Sequence, residues 1–108
     1  MKKSFVLYFD AYPCLEWLPA DQRGELFSAL FEYARETAEG RMEMGPVLER
    51  HPDMTPVTRM AFAFIGETIR RDTEKWREKH ERYAKAARRR RQESAARDPG
   101  DEAWGYVE

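Results

Sequence analysis

Arg71, Lys75, Lys79, Arg82 and Arg89 recur at three-, four- and seven-residue steps, and at about 100° per helical residue they fall within one sector of roughly 80°. Cations about a turn apart can follow a phosphate backbone, and Trp76 and Tyr83 on the flank offer ring faces on which bases stack. Lys85 and the run Arg88-Arg89-Arg90-Arg91 enlarge the positive surface. That run sets four cations in little more than one turn, a repulsion that an anion relieves. Glu78 with Arg82 and Glu81 with Lys85 are i,i+4 pairs of the kind that support a solvated helix, each worth about 0.3 to 0.5 kcal/mol. They account for helicity and leave a surplus of positive charge unexplained. Three readings stay open: direct contact with nucleic acid, docking on a protein or nucleoprotein partner, and a merely solvated face.

Residues for bond-making chemistry are sparse. His51 and His80 lie far apart in sequence, and the alternation Glu49/His51/Asp53 in a Pro-bounded loop is a pattern that arises by chance. No Gly-rich phosphate loop, no Ser/His/Asp or Cys/His arrangement with local support, and no metal signature is present. Asp10 reads as a helix cap, Asp72 as an intrahelical partner of Lys75, and Cys14 as a small buried hydrophobe. No enzyme activity, cofactor or metal is expected.

The element that must carry the cations is one long helix from Thr55 to about Arg91. Thr55 suits the N-cap, Pro56 the first helical position, and no further proline appears before Pro99. At ~1.5 Å per residue it runs roughly 50 Å, longer than a chain of this size encloses, so its far part is expected to project. Ala61, Phe64, Ile65, Thr68 and Ile69 fall on one broad apolar face, whereas Arg70 to Arg97 contains no Val, Ile, Leu, Met or Phe. The first third belongs to a core and the rest to water or a partner.

Upstream, Pro19 opens a helix that ends before Gly40, with Leu26, Phe27, Leu30, Phe31 and Ala34 at helical spacing. Gly24 and Gly66 interrupt the two helices, explained either by close crossing or by tolerance at an exposed site. Residues 40–54 form a loop whose Met42, Met44, Val47 and Leu48 fold over the core. Ser4 to Phe9 favours β structure but lacks an evident partner strand, so it reads as an extended or helical lead-in with aromatics packed on the helices. A short helical turn capped by Asp10 and containing Leu15, Trp17 and Leu18 follows. Phe62 and Phe64 point to different sides of the long helix, and a homodimer through these helices would bury both.

Composition fits a small core with a solvated extension. The charged fraction of 36% is high for a globular chain, yet 13% aromatic residues argue against wholesale disorder. A net charge of -1 conceals segregation: residues 1–69 hold 7 Lys/Arg against 11 Asp/Glu, residues 70–97 hold 12 against 5, and residues 98–108 hold none against 4. Local charge is therefore the informative quantity. The acidic last segment bears Trp104 and Tyr106, read as docking back on the basic helix, of this or a second subunit, in competition with nucleic acid; terminal disorder is the alternative. A single cysteine excludes an internal disulfide, the apolar run Phe5 to Phe9 is too short for a signal peptide, and no stretch approaches the ~20 apolar residues of a membrane helix. A cytoplasmic location and no membrane partner are expected.

Ser4-Phe5-Val6-Leu7-Tyr8, Leu18, Gly24-Glu25-Leu26-Phe27, Ala29-Leu30-Phe31, Tyr33, Met60-Ala61-Phe62-Ala63-Phe64-Ile65 and Arg71-Asp72 near Lys75-Trp76 resemble a small phage and prophage family of unassigned function. The resemblance covers roughly residues 4 to 80 and implies a place in a replication module, near DnaD-like initiation proteins. After Tyr83 the chain departs from the family's Gly/Lys-rich linker into Ala-rich and Arg-rich helix.

The resulting reading is a mostly α, small helical domain with a long projecting C-terminal helix. It divides into a core over 1–69, with covering loop 40–54, a long helix over 55–91 that is basic from 70, and an acidic aromatic tail over 92–108. The expected role is a non-catalytic, nucleic-acid-associated phage or prophage accessory protein. A phage inhibitor of a host defence or replication nucleoprotein complex, in the manner of an anti-CRISPR protein, and a helical oligomerisation module are the alternatives.

Overall fold

Proline and glycine punctuate the chain where its helices begin and end. In the computed structural model, residues 2–95 are described, the side chains of Ser94 and Ala95 excepted. A 3-10 turn, Phe9–Ala11, leads into α1 (Tyr12–Glu16), followed by α2 (Ala20–Ala38), α3 (Gly45–Glu49) and α4 (Pro56–Ala95). Among the described residues there is no strand. The chain divides into two units, the first ending at Thr73 and the second beginning at Glu74.

In the first unit, Pro19 stands at the N-cap of α2, its fixed φ of -59° feeding the helix. Gly40, with φ 96°, ends the same helix: its N–H bonds Thr37 O and that of Arg41 bonds Glu36 O, the paired bonds of a Schellman stop. Thr55 caps α4 as expected, its Oγ1 accepting from the Thr58 N–H at 3.3 Å. Leu26, Ala29, Leu30 and Tyr33 of α2 form one core with Ala61, Phe62, Ile65 and Ile69 of α4, closed by Leu15, Leu18, Val47 and Met54. Residues 40–54 do cover this core: Val47 on α3 is fully buried and Tyr33 Oη donates to Met42 O at 2.6 Å. Gln22, also buried, donates to Asp53 O and accepts from Thr55 N and Thr58 Oγ1, binding the end of that segment to α2.

Several sequence expectations shift by a helical phase. The buried stripe of α4 runs Thr58, Ala61, Phe62, Ile65, Ile69, Thr73, leaving Phe64 60% exposed. Two buried threonines complete that stripe, and apolar counting passes over them. Phe27 and Phe31 also lie at the edge of the α2 face rather than in its centre. Asp10 caps no helix; it sits inside the 3-10 turn, α1 begins two residues later without a side-chain cap, and Trp17 beyond its end is 84% exposed. Asp72 accepts from Tyr8 Oη at 2.6 Å instead of pairing within its helix with Lys75. The two glycines part company: nothing approaches within 4 Å of a Cβ placed at Gly24, whereas one at Gly66 would meet Met44 Cε at 3.0 Å and Tyr33 Cε2 at 3.5 Å.

Candidate nucleic-acid interface

Arg71 is exposed in the first unit, where it lines a cavity of about 280 Å³ with Val6, Tyr8, Phe64 and Thr68. The remaining candidate cations belong to the second unit. There α4 carries no Val, Ile, Leu, Met or Phe, and Lys75, Lys79, Arg82, Lys85 and Arg88 to Arg91 are all exposed. Lys75, Lys79, Arg82 and Arg89 share one sector of the helix, while the successive residues Arg88 to Arg91 encircle it. Among the described residues, none of these eight cations has a carboxylate within 4.0 Å. Glu78, Glu81, Arg82 and Lys85 line one shallow depression, yet the i,i+4 ion pairs expected between them do not close.

Both aromatic side chains keep company four residues away. Trp76 stacks on His80 with centroids 3.8 Å apart and planes 27° from parallel, and His80 Nδ1 lies 3.1 Å from Trp76 O. Lys79 Nζ stands 5.8 Å over the Tyr83 ring, which is 44% exposed. One face of each ring is thus occupied, which leaves at most the opposite face for a base. Trp104 and Tyr106 lie outside the described residues.

The densest charge network is elsewhere. His51, 11% exposed at its side chain, places Nδ1 2.8 Å from Glu25 Oε2 and Nε2 2.7 Å from Glu32 Oε2. Arg50 bridges Glu32 and Glu36. Burial opposes charge on the imidazole, but its hydrogen bonds to the Glu25 and Glu32 carboxylates outweigh it and raise the His51 pKa above 6.5. With both nitrogens engaged the ring is closed to a metal, and no group of three candidate ligands occurs among the described residues. A feature missed in the sequence is a groove between residues 2–7 and α2; its one signal is the alternation of Phe5 and Leu7 with Val6 and Tyr8.

Residues 4–98 match the family of unknown function DUF6291. The chain belongs to this family. The DUF6291 span takes in the arginine run as well as the core, so the match reaches beyond the residues 4 to 80 expected from the resemblance. No curated protein and no solved structure matches the chain. No described helix is long and apolar enough to cross a membrane.

Proposed function

We propose that this DUF6291 member is a non-catalytic, cytoplasmic, nucleic-acid-associated accessory protein of phage or prophage origin, acting in a replication module. The basic half of α4 contacts phosphate. The observation that carries the reading is eight exposed cations without a carboxylate partner among the described residues. Binding proceeds by release of counterions with little reading of bases, since the helix offers charge in rows and few base-directed amides. The phage and replication context rests on the resemblance of the core residues alone.

Fluorescence anisotropy with a mixed-sequence duplex tests it. Affinity is expected to fall steeply with salt, and glutamine at Arg88, Arg89, Arg90 and Arg91 is expected to flatten log K against log salt by up to ~3.6, since each lost phosphate contact removes about 0.9. An absence of binding at low salt, or an unchanged slope in that variant, defeats the reading.

A second reading, self-association, is favoured by Val57, Met60 and Phe64, which share one side of α4 and are 63%, 72% and 60% exposed. A second copy is the occupant that needs only one self-complementary patch, by two-fold pairing. Sedimentation equilibrium of wild type against Phe64→Glu tests this, a dimer dissociated by the substitution being the expected result. Monomeric wild type defeats it.

A further inference from the structure

The segment before the 3-10 turn is strand-like and unpaired. Its side chains alternate: Phe5 and Leu7 pack on the core, while Val6 and Tyr8 are 54% and 46% exposed. Among the described residues, no backbone group of Phe5, Val6 or Leu7 bonds to another backbone group. Main-chain donors and acceptors left open along an extended run are a template for a further strand.

The surroundings say what kind of strand. Phe5 meets Phe31 edge-on, with centroids 5.0 Å apart at 88°, and so holds the segment at a set distance from α2. Between them lies a groove of about 730 Å³ with Phe5, Leu7, Phe31, Ala34 and Ala38 along it. Its charged residues are Lys2, Lys3 and Arg35, against Glu39. Residues 1–69 as a whole are acidic, 7 Lys/Arg to 11 Asp/Glu, so the groove gathers three of the seven cations beside one carboxylate. That reversal of local sign selects an anionic occupant.

We propose that this groove takes an extended acidic peptide of a partner protein, with apolar residues at alternate positions, added as a strand beside residues 4–8. Main-chain bonds to Phe5, Val6 and Leu7 supply register. The apolar residues of the groove take every second side chain, and Lys2, Lys3 and Arg35 meet the carboxylates. None of these groups belongs to the basic half of α4, so the proposal is independent of nucleic-acid binding.

The test titrates a fluorescein-labelled peptide of alternating Glu and Val into the full chain, with a Lys/Val peptide of equal length as control. Anisotropy reads binding, and NMR hydrogen exchange reads the amides of residues 5–7. Expected are saturable binding of the acidic peptide alone, slowed exchange at alternate amides of the segment, and about tenfold weaker binding in Lys3→Glu/Arg35→Glu. Both replaced side chains are exposed and outside the ion pairs of the first unit, so the variant stays folded; Arg35→Glu in the last turn of α2 lowers Tm slightly, by reversing a favourable helix-end charge. Failure of the acidic peptide to bind, equal binding of the two peptides, binding without slowed amides, or indifference to the charge reversal would each overturn the proposal.

Discussion

At His51 both ring nitrogens end on carboxylates, an arrangement met in full only when each nitrogen carries a hydrogen to donate. The folded state therefore binds a proton more tightly than the unfolded chain does. With the folded pKa raised above 6.5, this contribution to stability is fully present below pH 6.5 and is lost as pH rises through the folded pKa. For Glu32, burial opposes ionisation, but hydrogen bonds from His51 and Arg50 hold its pKa below 4.5, so its share is present above pH 4.5 and fades as pH falls through the folded value. Urea denaturation from pH 5 to 8.5 is expected to show stability declining with pH in wild type. His51→Ala should remove most of that decline and cost on the order of 1 kcal/mol at pH 5.5, a low figure because Glu25 and Glu32 are about one-third exposed. None of this was legible beforehand. Glu25 and Glu32 share a face of α2, but His51 reaches them from 26 and 19 residues away, and only the folded segment after α3 brings it there.

The glycines show at the scale of elements what spacing reveals and what it conceals. A helix-interior glycine costs about 1 kcal/mol relative to alanine whatever surrounds it, so the sequence locates the cost but not its reason. Gly24 faces open space, and Gly24→Ala is expected to recover most of that amount, raising Tm by several degrees in a thermal melt. Gly66→Ala must displace the end of Met44, a flexible thioether, so its gain should be smaller than that of Gly24→Ala. Gly40→Ala should lower Tm, since φ 96° strains any residue with a Cβ. The order Gly24→Ala, Gly66→Ala, Gly40→Ala from highest Tm to lowest is the outcome that checks these environments; inversion of the last two would contradict the packing around Met44. The two long helices, their caps and the covering loop were readable because Pro19, Gly40, Thr55 and Pro56 act locally. The phase of α4 was not, because Thr58 and Thr73 are buried by tertiary partners that no local pattern announces.

Charge is distributed over the whole chain in blocks, and the blocks decide how a polyanion can be met. Trp76 and Tyr83 each have one face taken, by His80 and Lys79, so in the proposed complex stacking of bases, ordinarily worth ~1 to 3 kcal/mol each, is expected to contribute less than the cations do. The proposed phosphate contact then has two forms to distinguish. If a backbone lies along one side of the helix, only the sector of Lys75, Lys79, Arg82 and Arg89 touches it; if the helix acts as a diffuse cationic rod, every arginine counts alike. Two double substitutions of equal charge separate these forms. Lys79→Gln/Arg82→Gln removes two cations from the sector, whereas Arg88→Gln/Arg91→Gln removes two that point about 160° to 220° from Lys75 around the axis. Both lower the net charge of the helix by the same amount, and the four replaced side chains are exposed, so unfolding midpoints should agree within experimental scatter. Docking along one side predicts that the first pair flattens the salt dependence of duplex affinity by about 1.8 and the second by much less. Equal flattening by the two pairs would show a diffuse field with no preferred face, and the spacing of the sector would then be a property of the helix alone.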